Sequence, residues 1–192
     1  MEEKEEKEWN PKKNNVEKAE RRLKNKGIMD ENRKVLPAKV KNCEYSPITG
    51  QIYYNSELFA QMDVKACIFI LAHEEGHSKQ GICRNLTRPF HIRKDELDAD
   101  EFAAIQLKNH GSSSEEICTG AEIAFDEIEN KLPSIKWWQF IRQIKKKYYP
   151  TNEERLERIK KILALYNPNN ARESIINASD MQRITGKNGS HN

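Results

Sequence analysis

The chain reads as a mostly helical α+β domain in which a small β-sheet or hairpin precedes the most apolar helix. Three observations predict this. Most of the chain repeats apolar residues at three- and four-residue spacing, and residues 35–54 instead read as extended around a turn signal. The run IFILAHEEGHSKQG, residues 68–81, is the most apolar part of the sequence, yet it holds two histidines and two glutamates.

Each element has its own signal. Residues 1–13, MEEKEEKEWNPKK, are a charge run without the apolar segment of a signal peptide. Val16, Ala19 and Leu23 then form a thin apolar stripe on a helix over residues 14–26, which Gly27 stops. This helix docks either on the domain or on a partner. VLPAKVKNC, the turn signal SPITG and QIYYN predict a hairpin or two short strands. The apolar run predicts a helix from about Val64 to Lys79, followed by Gly81. ICRNLTRPFH reads as a loop, and a helix from Arg93 to Asn109 closes at Gly111. Ser113 and Glu116 stand at capping-box spacing ahead of a helix lined by Ile117, Ala121, Ala124 and Ile128 and ended by Pro133. Ser134 opens a helix bearing Ile135, Trp138 and Ile141. A second capping box, Thr151 and Glu154, starts a helix with Leu156, Ile159, Leu163 and Tyr166 on one face, and Pro168 ends it. The division predicted is a charged N-terminal segment over 1–34, one domain over 35–167, and a loose Asn/Ser/Gly-rich tail over 168–192.

Composition narrows the function. Hydrophobic residues make up 36% and charged residues 33%, so the chain buries one modest core. A net charge of +3 and a pI near 8.6 fall short of the basic balance of a nucleic-acid-binding domain, and the charges of both signs are interleaved. No nucleic-acid partner is expected, although residues 142–149 form a local basic cluster. The longest unbroken apolar run, Ala66 to Ala72, is far too short to span a membrane. Four scattered cysteines, Cys43, Cys67, Cys83 and Cys118, with no CxxC pair, point to a reducing compartment. A soluble, cytoplasmic protein is the expectation.

His73-Glu74-Glu75-Gly76-His77 is HExxH on a helix. The i, i+4 spacing puts both imidazoles on one face, able to share one Zn²⁺, and places Glu74 where a general base reaches an activated water. A catalytic zinc site takes a third protein ligand. An extended HExxHxxGxxH is absent, since Gln80 and Cys83 occupy the relevant positions. His91, Cys83 and Glu96 are the other choices. Glu96, Asp100, Ala103 and Leu107 follow one helical stripe, so Glu96 could reach the ion while Asp100 accepts the spare N–H of a ligating histidine. Ala99 and Ala103 are small enough to let two helices approach closely.

HEEGH followed after 18 intervening residues by ELDADEFA resembles a gluzincin metallopeptidase, and is most similar to the CAAX prenyl protease and heat-shock membrane protease family with its HExxH…ExxxD pattern. QIYYNSELF, LKNHGSSSEEI and YYPTNEERLERI resemble further segments of that family in the same order, so the likeness covers about residues 35–165. A cytoplasmic regulator-cleaving peptidase family with HExGH is a near competitor, and the PTNEER element favours the first. The resemblance implies a zincin-like fold, one catalytic Zn²⁺ on His73, His77 and Glu96, Glu74 as general base, Asp100 behind a ligand, and a peptide or protein substrate. Known members are membrane-embedded and carry His-Pro where this chain has Tyr149-Pro150. Tyr149 or Tyr148 then takes the place of that histidine, and the candidates for polarising the scissile carbonyl are Tyr149 and Arg155. The strand QIYYN is either an edge strand that pairs with an extended substrate or an ordinary packed edge strand. The alternative reading is a metal-binding interaction or regulatory protein of the same fold with weak or no activity.

Overall fold

The computed structural model describes residues 13–81, 92–130 and 149–166. The expected loop at 82–91 with Cys83 and His91, the helix from Ser134, Tyr148, residues 1–12 of the charged N-terminal segment and the tail over 168–192 lie outside the described residues.

Helix α1 spans Lys13–Asn25, strands β1, β2 and β3 span Val35–Pro37, Cys43–Tyr45 and Ile52–Tyr54, and a single turn, α2, spans Ser56–Phe59. Helices α3 (Val64–Lys79), α4 (Ile92–Asn109), α5 (Ser114–Asn130) and α6 (Asn152–Leu165) complete the order. The architecture is α+β and mostly helical, with one small sheet ahead of the HExxH helix.

Helix α3 is the hub. Asp63 caps its N-terminus, the carboxylate accepting from the Lys65 N–H at 2.7 Å. Every residue from Ala66 to His77 is buried, because α1, α4, α5 and β2 all pack on it. A helix apolar all round has no solvent face and must sit inside. Gln80 closes it, and Gly81 leaves in a left-handed conformation, φ 80°.

The helix over 13–25 docks on the domain: Val16, Ala19 and Leu23 join the core, and the Asn15 amide donates to the Met62 carbonyl at 3.2 Å. Both capping boxes form as their spacing predicts. Ser113 Oγ accepts from Glu116 N–H at 3.0 Å and the Glu116 carboxylate from Ser113 N–H at 2.9 Å. Thr151 and Glu154 repeat the pattern at 3.2 and 2.8 Å. Of the α6 stripe, Ile159 and Leu163 are buried, Leu156 packs beside them, and Tyr166 donates its hydroxyl to Asn109.

The hairpin expected across SPITG forms from β2 and β3, and β1 extends it to a small sheet. It has three strands in the order β1-β3-β2, with β1 parallel and β2 antiparallel to β3. Pro37 lies at the end of the outer strand β1, where its missing N–H breaks no ladder. QIYYN forms the central strand, so both edge-strand readings, pairing with substrate included, are overturned: both of its edges are already hydrogen-bonded to β1 and β2.

Candidate metal centre

Two helices bring the donors together. Helix α3 supplies His73 and His77 one turn apart, their rings 4.6 Å between centroids and nearly perpendicular at 88°. Helix α4 supplies Glu96 from a buried stripe that includes Ala99, Asp100, Ala103 and Leu107. The close approach depends on small residues at the crossing. A Cβ on Gly76 would stand 3.0 Å from Ala99 Cα and 3.2 Å from Phe102 Cβ, so a side chain at 76 would press on the helix that carries Glu96.

Glu96 Oε2 lies 3.4 Å from His73 Nε2, and Oε1 lies 3.5 Å from His77 Nε2. One ligand atom from each residue falls within 4.8 Å of the others, and all three side chains are buried. Among the described residues this is the one group of three or more such donors close enough to share an ion. The spacing suits one: bonds of about 2.1 Å in tetrahedral array separate ligand atoms by about 3.4 Å. The donor types suit one too: two imidazole nitrogens and a buried carboxylate are ligands that a divalent cation takes.

Each imidazole is held from behind. Asp100 Oδ1 lies 2.8 Å from His73 Nδ1, which leaves Nε2 facing Glu96. Arg155 grips Asp100 with two bonds, Nε to Oδ2 and Nη2 to Oδ1, both 2.7 Å. Gln80 Oε1 lies 3.1 Å from His77 Nδ1, and its Nε2 donates to the Asp95 carbonyl at 2.7 Å. Sequence reasoning passed over Gln80 as the residue that breaks a longer motif. Its signal was present, an amide three positions after His77 on the same helical face.

Electrostatics obey the geometry. Burial pushes the His73 imidazole down, but the Asp100 carboxylate, with help from Glu96, outweighs it and holds the imidazole up at about 9. Burial would raise the Glu96 carboxyl, yet hydrogen bonds from His73 and His77 keep it well below the usual carboxylate range. Burial likewise opposes Asp100, and Arg155 and His73 hold its pKa down.

The two glutamates of HEEGH separate in role. Glu74 Oε2 accepts from the Tyr45 N–H at 2.8 Å, joining α3 to β2. In the β2–β3 ladder Ser46 and Asn42 bond to β3, so Tyr45 directs its N–H away from the sheet to reach Glu74. Glu75 is fully buried and belongs to a different cluster: Arg33 Nε and Nη2 meet its oxygens at 2.9 and 3.2 Å, and Lys79 adds a contact at 2.9 Å. Arg33 also bonds the Gly50 carbonyl and lies 4.9 Å over the Tyr45 ring.

Of the remaining expected residues, Tyr149 stands just ahead of α6, its carbonyl accepting from Arg93 Nη1 at 3.3 Å. Arg155, expected to polarise a carbonyl, commits Nε and Nη2 to Asp100 and stacks 4.1 Å over Phe125. No protein-family model matches the chain, and no curated protein or solved structure matches it significantly. Among the described residues no helix is long and apolar enough to cross a membrane.

Proposed function

We propose that the chain is a zinc-dependent endopeptidase of the gluzincin type, similar to the CAAX prenyl protease and heat-shock membrane protease family and acting in the cytoplasm. One observation carries the reading: the Glu96 carboxylate faces two imidazole Nε2 atoms at 3.4 and 3.5 Å, with Glu74 on the same helix as the imidazoles. The set of two nitrogens and one oxygen is that of a catalytic zinc site with one position left for solvent.

His73, His77 and Glu96 would hold the ion, and Asp100 fixes the His73 tautomer. When bound, Zn²⁺ polarises a carbonyl and lowers the pKa of a water towards about 7. Glu74 is the base: Oε2 is held by Tyr45, and we assign Oε1 to take the proton from water and deliver it to the departing amine. We assign the Tyr149 phenol to the carbonyl oxygen, in the place of the family's histidine.

The bond between Glu74 and Tyr45 favours a second reading, a metal-binding interaction protein in which Glu74 merely pins β2 to α3. Glu74→Gln separates the two. The amide oxygen still accepts from Tyr45, so fold and zinc are kept while proton transfer is lost. The test is zinc analysis of dialysed protein together with hydrolysis of an unfolded protein, with and without chelator. Chelator-sensitive cleavage by the parent and none by the variant supports the peptidase. Equal cleavage by both removes Glu74 from the base role, and zinc without any cleavage supports the interaction protein.

A further inference from the structure

The geometry points to Arg155 as a positioning residue for the metal centre, acting through Asp100 on His73 and so linking the docking of α6 to metal affinity. This rests on the metal-binding part of the reading above, and peptide hydrolysis is not required for it.

Arg155 sits one turn into α6, and its guanidinium meets side chains of three other helices. It holds both oxygens of Asp100 on α4 at 2.7 Å, approaches Glu96 Oε2 at 3.9 Å and His73 Nδ1 at 3.4 Å, and covers the Phe125 ring of α5 at 4.1 Å. Asp100 is fully buried. With one oxygen shared between Arg155 and His73, the direction of that oxygen, and with it the tilt of the His73 ring, is set from α6. A planar fork specifies this direction where a single ammonium does not. The outer contacts of α6 differ in kind: Arg158 pairs with Glu101 at 2.7 Å and with Asp98 at 3.6 Å, both away from the donors. Two effects of Arg155 on a cation oppose each other, since its charge repels the ion while its grip orients a ligand. Arg155→Lys keeps the charge and loses the fork, and so isolates orientation.

The experiment titrates Zn²⁺ alone into the full chain against a competing chromophoric chelator. Arg155→Lys should bind zinc about tenfold more weakly, the low end of what outer contacts to a ligand contribute. Arg158→Lys should stay within about threefold of the parent. In an Asp100→Asn background, Arg155→Lys should cost nothing further, because the path through residue 100 is already broken. Reciprocity supplies a readout that needs no variant: zinc should slow amide exchange across α6 in the parent chain. An Arg155→Lys protein that binds like the parent, an undiminished loss in the Asp100→Asn background, or α6 exchange indifferent to zinc would each overturn the inference. A parent chain that takes up no zinc would overturn the metal centre itself, and this inference with it.

Discussion

His77 Nδ1 stands 3.1 Å from Gln80 Oε1, three residues further along the same helix. The Gln80 amide is itself steadied by the Asp95 carbonyl, so the pair forms a short relay from α4 back to α3. Gln80→Ala should therefore weaken zinc binding about 10- to 100-fold with little change in helix content, measured by chelator competition and far-ultraviolet circular dichroism. Gln80→Glu, which keeps the acceptor, should restore most of the affinity.

Gly76→Ala tests the helix crossing. The added methyl would meet Ala99 and Phe102 at 3.0–3.2 Å, where the nearest atoms include backbone that cannot turn aside. Overpacking of this sort costs about 1–3 kcal/mol. Urea denaturation should show the loss, and zinc affinity should fall with it because the displaced helix carries Glu96.

Arg33→Met, in the segment between α1 and β1, should be strongly destabilising. It leaves Glu75, fully buried, without the fork that holds it. Breaking one side of a buried pair costs about 3–5 kcal/mol. The double replacement Arg33→Met with Glu75→Leu should recover much of that loss in the same urea titration, since both charges are then gone.

Burial, followed by the charge of Asp63, pushes the Cys67 thiol up to about 12, and burial pushes Cys43 well above its usual value. Both should resist alkylation at pH 8 in the folded chain, as mapped by peptide mass spectrometry, because the thiolate is the reactive form. Stability should respond to alkali in the same sense. Between about pH 9 and 12 the unfolded thiols lose protons that the folded ones keep, so this pair's contribution is intact below pH 9 and falls as pH rises. A denaturation series across that range reads it.

The local features were legible in the sequence. The i, i+4 histidines, the Glu96–Asp100–Ala103–Leu107 stripe and both capping boxes all lie within one or two helical turns, where spacing dictates which side chains meet. The unforeseen features join distant segments. The order of the three strands, the union of Arg33 with Glu75 across 42 positions and of Arg155 with Asp100 across 55 depend on how elements pack, which no periodicity encodes. A charged residue at such a position reads in sequence as surface. Only the packing shows that Arg33 closes one buried cluster and Arg155 another.

Glu74 and Glu75 are neighbours in the chain yet belong to different neighbourhoods, one bonded to Tyr45, the other to Arg33. Successive residues on a helix point about 100° apart. One residue inserted between the Asp63 cap and His73 would carry Glu74 into the place of Glu75 and Glu75 into that of Gly76, and rotate both imidazoles off Glu96 in the same stroke. Such a change admits no partial outcome. A volume-conserving exchange among the buried apolar residues of that stretch can be absorbed by repacking, whereas a change in their number cannot.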